Sequence, residues 1–257
     1  MRRRPRGSLL GLAGFVLVVA GCGLRTGALA PARSASADAL VAELAARRAA
    51  VTSLRARVRL RSGLAGVWTR QAVLVQRPSA IRVDVLSPFG LALALGTEGQ
   101  TLWAFPPQQG VRYEGAATPA NLQRLVGTPL AVGDLVDVLL GGPPARTPVA
   151  PPTLARVGDA VVLTLVYRGG TQLVRFAPQT LQLTGVEEHR DDAPVVQVLF
   201  GDWQDGVART LDLVGADGAT ARIAFDDVET NARIDPAAFA PPAASRVLPL
   251  ERAAAPS

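Results

Sequence analysis

The chain has 257 residues, of which 49% are hydrophobic, 19% charged and 5% aromatic, which is enough apolar material for one core and too much for a disordered chain. One cysteine, one histidine and one methionine exclude a disulfide scaffold and a zinc, haem or iron–sulfur site built from the usual ligands. The net charge of +6 comes from arginine alone, and four of the arginines fall within the first six residues.

Arg2, Arg3, Arg4 and Arg6 precede a twelve-residue run, Leu9 to Ala20, of apolar residues and glycine. A membrane span needs about 20 apolar residues, so this shorter run reads as a secretory signal peptide over residues 1–21. Val19-Ala20-Gly21-Cys22 resembles a bacterial lipobox, and the only cysteine sits in it. That resemblance implies that Cys22 is acylated and becomes the first residue of the mature protein. Each buried methylene contributes roughly 0.8 kcal/mol, so one chain of about 14 contributes on the order of 10 kcal/mol of anchoring. The lipobox is followed by Gly23 and not by aspartate, which implies residence in the outer membrane, facing the periplasm. Residues 1–21 hold four arginines and no acid, so without them the net charge falls from +6 to about +2. The remaining arginines are spread among acids, whereas counterion release requires clustered cations. Nucleic acid is therefore not an expected partner.

Residues 22–37 are small residues and proline without apolar periodicity, a tether with a reach of about 20 Å. Asp38 is the candidate N-cap of a helix to about Ala50, with Leu40, Leu44 and Val51 along one side. From Leu54 the period changes to two: Leu54, Ala56, Val58 and Leu60 alternate with Arg55, Arg57, Arg59 and Arg61, a strand with one dry and one wet face. Ile81, Val83 and Val85 repeat the pattern, as do Leu181 with Leu183 and Ile223 with Phe225. Turn signals at Pro78-Ser79, Thr97 to Gly99, Gly169-Gly170, Pro178 to Thr180, Asp205-Gly206 and Asp217-Gly218 suit hairpins of an antiparallel meander.

Between the two strand groups the period returns to helical. Thr118-Pro119 is an N-cap and N1 pair for a helix through Val126, and Val132 to Leu140 gives a second helix. Gly141 to Pro152 is a Gly/Pro-rich loop. Each strand group alone would expose an unpaired edge and an uncovered apolar face. One curved sheet shared by both groups, with the inserted helices across its concave face, is the expected solution. The expected domain covers residues 38–240, and the Ala/Pro-rich residues 241–257 are expected to be a disordered tail.

No constellation for catalysis stands out. His189 lies among Glu187, Glu188, Arg190, Asp191 and Asp192, which read as a solvated turn. There is no nucleophile elbow, phosphate loop or dinucleotide fingerprint, so the chain is not expected to be an enzyme and no cofactor is implied. What remains is apolar surface, which forms either a solid core or a container. A container for an acyl chain must supply about 10 kcal/mol, or roughly 400 Å² of apolar lining. Leu60, Val83, Val85, Leu93, Leu125, Leu135 and Leu139 are the candidates for that lining.

Val85-Leu86-Ser87-Pro88-Phe89-Gly90, Gly110-Val111-Arg112-Tyr113, Leu125-Val126-Gly127-Thr128-Pro129-Leu130 and Leu139-Leu140-Gly141-Gly142-Pro143 resemble, in order and spacing, the LolB family of outer-membrane lipoprotein receptors. The resemblance covers about sixty residues from Arg82 to Pro144 well and the rest loosely. It implies an α+β fold of the LolA/LolB superfamily: a single incomplete antiparallel β-barrel with a helical lid over a hydrophobic cavity. It also implies a monomer that accepts the acyl chains of lipoproteins from a LolA-like periplasmic carrier and inserts them in the outer membrane. Pro88-Phe89-Gly90 occupies the place of that family's membrane-facing loop, which makes Phe89 the implied membrane contact. Ile234-Asp235-Pro236-Ala237-Ala238-Phe239 departs from the receptor pattern and looks more like the end of the soluble carrier. The alternative is a structural or assembly lipoprotein with a solid core that acts through an outer-membrane protein partner.

Overall fold

In the computed structural model, residues 35–63, 66–127 and 130–253 are described. Cys22, the expected signal peptide and the expected tether up to residue 34 lie outside them. The first element, α1 (Ala37–Ala50), is capped by Ser36, whose hydroxyl accepts from the Ala39 N–H at 3.1 Å. Asp38, the expected cap, sits instead in the first turn, where its charge meets the positive end of the helix dipole. Leu40 is buried, and Leu44 and Val51 pack against the core.

Six strands follow: β1 (Ser53–Ser62), β2 (Thr69–Gln76), β3 (Ala80–Ser87), β4 (Gly90–Glu98), β5 (Thr101–Phe105) and β6 (Val111–Ala116). Then come α2 (Pro119–Val126) and α3 (Val132–Leu139). The second strand group is β7 (Thr153–Val157), β8 (Ala160–Tyr167), β9 (Gly170–Phe176), β10 (Leu183–Arg190), β11 (Ala193–Gln204), β12 (Val207–Gly215) and β13 (Thr220–Thr230), and β14 (Arg246–Pro249) closes the order. All belong to one sheet in the order β14-β6-β5-β4-β3-β2-β1-β13-β12-β11-β10-β9-β8-β7. Each group is an antiparallel meander, and the β1–β13 ladder joins them. The edges β14 and β7 do not meet, so the sheet is strongly curved and unclosed, with the helices as its lid.

The two-residue period decides which face is dry. Leu54, Ala56 and Val58 are buried on the concave side while Arg55, Arg57 and Arg59 stand outside. The outer arginines meet acids of β13: Arg55 pairs with Glu229 at 3.0 Å, Arg57 with Asp227, and Arg59 with Asp226 at 2.9 Å. A bulge between Arg57 and Val58 in this ladder lets adjacent Asp226 and Asp227 both serve the outer face. The predicted strand at Leu181 starts two residues later, because Leu181 adopts a left-handed φ of 55° and completes the turn from Ala177.

The predicted α2 is found with its signals intact. The Thr118 hydroxyl accepts from the Asn121 N–H at 3.2 Å, Pro119 fills the first turn, and Gly127 ends the helix at φ 76°. Thr118→Ala is expected to lower stability by about 1 kcal/mol, read as a lower urea midpoint with an unchanged slope. Wild-type stability in that variant would mean that packing of Leu122 alone holds the helix.

Beyond β13 the structure differs most from expectation. Ala232, Ile234 and Phe239 form a second small core on the convex face against Leu74 and Ala80. Trp103 lies fully buried on that face, and its indole N–H donates to the Phe239 carbonyl at 3.3 Å. Residues 241–253, the described part of the segment expected as a disordered tail, continue the strap. Arg112 donates to the Pro242 carbonyl, Ser245 to the Gly110 carbonyl, β14 pairs in parallel with β6, and Leu250 is fully buried. Parallel pairing of β14 covers what would otherwise be the bare edge of β6.

Candidate lipid-binding site

The helices lie across the concave face, and α3 fills much of it. Its Val136 and Val138 are fully buried, and Leu122 of α2, Leu130, Leu139 and Leu140 join the same core as Leu54, Val75, Leu163 and Val174 of the sheet. Five of the seven side chains expected to line a hollow are part of this packing, and none of the seven lies in the wall of the hollow between α1 and the loop after α3. Leu139 is buried in the core, and Val83, Leu93, Leu125 and Leu135 are half-buried against it. Leu60 and Val85 are half-buried on β1 and β3. The physical reason is that lid and sheet side chains at the core positions pack against one another.

The hollow lies at one end of the lid. It has a volume of about 150 Å³ and is walled by Val41 and Leu44 of α1, by Val51, by Leu140 and Pro143 after α3, by Leu165 and Leu183 of the sheet, and by Trp203 of β11. Arg47, Arg48, Arg77 and Arg146 supply polar wall. An apolar cavity of about that size accepts a benzene-sized guest, so a whole acyl chain needs the space that α1 would vacate by moving. Only Leu40 of α1 is fully buried. The C-terminal end of α1 is tied by the Asn231 amide donating to the Ala50 carbonyl at 2.8 Å and by Arg77 donating to the Val51 carbonyl at 3.0 Å.

Two buried carboxylates fasten the loop after α3. Asp137 of α3 pairs with Arg77 and, at 3.2 Å, with Arg48, and accepts from the Ala145 N–H at 2.9 Å. Burial and the repulsion of Arg48 lower the Arg77 guanidinium to about 10, so it stays charged at neutral pH. Glu188, expected in a solvated turn, is instead buried on β10 and accepts from Gln172 at 2.7 Å and Tyr167 at 2.6 Å. Arg146 bridges Glu188 at 3.2 Å and Asp134 of α3 at 2.7 Å. Burial works against the Arg146 charge, yet the hydrogen bond to Asp134 and the Glu188 charge raise its pKa further above the arginine range. Burial, with the hydrogen bond to Glu188, raises the Tyr167 hydroxyl. These groups clamp a loop and present no nucleophile beside a base.

His189 bonds Glu187 at 2.7 Å, and Arg175 meets the same carboxylate at 3.1 Å. Burial raises the Glu187 pKa, but those two partners outweigh it and hold it below the usual carboxylate range. Among the described residues, no cluster of three His, Cys, Asp or Glu is placed to hold a metal. Phe89 stands at the β3–β4 turn and is 97% exposed. Trp203 and the Gly141 to Arg146 loop had no periodic signal that would place them at a pocket.

No family model and no curated protein matches the sequence. Solved structures do match by shape. A LolA superfamily protein from Nitrosomonas europaea is 14% identical, with 81% of this chain and 99% of that one covered at a TM-score of 0.56. A domain described as an outer membrane lipoprotein-sorting protein from Vibrio parahaemolyticus is 13% identical, with coverage of 79% and 95% and a TM-score of 0.51. A DUF1329 family protein from Desulfovibrio piger is also 13% identical, with coverage of 77% and 95% and a TM-score of 0.51. At this identity the likeness is one of fold alone: an open and strongly curved antiparallel sheet with helices across its hollow, as in the LolA superfamily protein.

Proposed function

We propose that this protein is a lipoprotein, anchored through Cys22 in the outer membrane and facing the periplasm, that binds acyl chains of other lipoproteins and accepts them from a LolA-like carrier. The observation that carries the reading is the apolar hollow between α1 and the loop after α3, in a fold shared with a domain described as a lipoprotein-sorting protein. Cargo would pass between cavities of similar dryness, so the free-energy step is small, and the bilayer next to the acceptor gives direction. The lid element is α1, because Leu40 is its one buried residue and its hydrogen bonds to Asn231 and Arg77 lie at its C-terminal end. Phe89, exposed on a tight turn, is the membrane contact. A second reading, an assembly lipoprotein acting through a protein partner, is favoured by the dense packing of α3 on the concave face.

One titration separates the two. The described core lies wholly within residues 32–257, and this fragment is titrated calorimetrically with a palmitoylated lipopeptide. The expected result is saturable binding, weakened at least tenfold by Ala45→Phe, which puts a ring into the hollow from an exposed position on α1 without touching the core. No binding by the unsubstituted fragment would leave the assembly reading. Equal binding by Ala45→Phe would remove this hollow as the site.

A further inference from the structure

The convex face carries a second feature that acyl binding does not use. Along β1 each outward arginine meets an acid of β13 until the strand nears its hairpin end. Arg55, Arg57 and Arg59 have Glu229, Asp227 and Asp226, but Arg61 stands in register opposite Arg222, and Arg70 of β2 opposite Arg59. Arg222 is matched by Asp212 at 3.3 Å. Among the described residues neither Arg61 nor Arg70 has a carboxylate partner; the acid of the β12–β13 turn, Asp217, accepts from the Ala219 N–H. Charge compensation therefore stops at one end of the sheet.

At that same end the apolar side chains are bare. Val67 is 83% and Phe89 97% exposed, and Trp68 and Leu86 are also exposed. The β2–β3 ladder pairs Arg70 with Leu86, and continuing it by two residues puts Trp68 beside Pro88. Neighbouring strands are about 4.8 Å apart, so Trp68 and Arg70 at the start of β2 share one edge with the β3–β4 turn. Arg59 and Arg61 stack over the Trp68 ring, with guanidinium carbons 5.5 and 5.2 Å from its centre. This arrangement places cations at the level of an indole, as an interface of ring-burying lipid and anionic phosphate requires.

We infer that this edge docks on an anionic phospholipid surface, with Trp68 and Phe89 entering the interface and Arg61 and Arg70 meeting lipid phosphates. The inference rests on the proposed membrane contact of Phe89 and extends it to a second hairpin and a lipid class. The charge complementarity favours an anionic bilayer over a neutral one, and no anchor is needed for the measurement.

The test is co-sedimentation of residues 32–257, which lack Cys22, with phosphatidylglycerol/phosphatidylcholine vesicles and with pure phosphatidylcholine. Binding is expected on the anionic vesicles and is expected to weaken with salt. Each arginine near an anionic surface is worth about fivefold, so Arg61→Gln with Arg70→Gln should weaken binding about 25-fold. Trp68→Glu and Phe89→Glu should each weaken it at least tenfold. All four positions are on the surface, and an unchanged near-UV spectrum shows that the variants fold. Equal binding to both vesicle types, no binding to either, or undiminished binding by the arginine pair variant would each overturn the inference. So would a concentration-dependent dimer lost in the same variants, which would assign the edge to a second copy. Ala45→Phe is expected to bind vesicles fully, so failure of the acyl-binding reading is scored separately.

Discussion

Asp137→Ala is expected to lower the stability of the folded domain by about 3–5 kcal/mol, the loss seen when one partner of a buried ion pair is removed. Asp137 is 3% exposed and lies against Arg77, whose side chain is nearly buried as well, and against the more exposed Arg48. With the carboxylate gone, the two guanidinium groups repel each other without a counterion, and the Ala145 N–H loses its acceptor. Asp137→Asn retains an acceptor for that N–H but not the charge, so its loss should be smaller. In an Arg77→Gln background the cost of Asp137→Ala should fall, because no buried cation is then stranded. Urea denaturation of the four proteins gives the coupling directly. A loss under about 1 kcal/mol for Asp137→Ala would show that water reaches the pair through the hollow and does the carboxylate's work.

The same pair shows where sequence reading reached its limit. The alternation from Leu54 to Arg61 is legible because strand pleating turns a sequence period directly into a dry face and a wet face, and Thr118-Pro119 with Gly127 is legible because capping is local chemistry. From such local signals the sheet, the three helices and the hairpin turns follow. The burial of Glu188 does not follow, since it depends on Arg146, which is 42 residues away and reaches it only after the loop beyond α3 has folded. Nor does the position of the hollow. Leu125, Leu135 and Leu139 are apolar in the right period, but whether such side chains line a space or fill it is decided by the volumes of the groups opposite. Here Val136 and Val138 fill it. The C-terminal strap is illegible for another reason. Ala/Pro composition has no period, and its partners on the convex face, Trp103 and Leu74, belong to strands more than a hundred residues earlier in the chain.

Trp103→Ala tests that strap and is expected to cost about 3–5 kcal/mol, as for other buried aromatic truncations. The ring lies fully buried beneath residues 232–239 and against Gly96, where even a methyl group would meet it at 2.7 Å. The Arg82 guanidinium carbon stands 5.9 Å over the ring, and the same side chain donates to the Ala238 carbonyl at 3.0 Å. Loss of the indole therefore removes the floor on which the strap rests as well as the hydrogen bond to Phe239. Trp103→Phe should keep most of the packing and lose the N–H donor alone, at a cost nearer 1–2 kcal/mol. The strap also carries β14 to its place on β6, so its release should bare a strand edge and promote association. Limited proteolysis reads this separately from global stability, as early cleavage between Asn231 and Ser245 in Trp103→Ala under conditions where the urea transition remains cooperative. A protease-resistant strap in that variant would mean that the β14–β6 pairing and Leu250, not the tryptophan, hold the C-terminal segment in place.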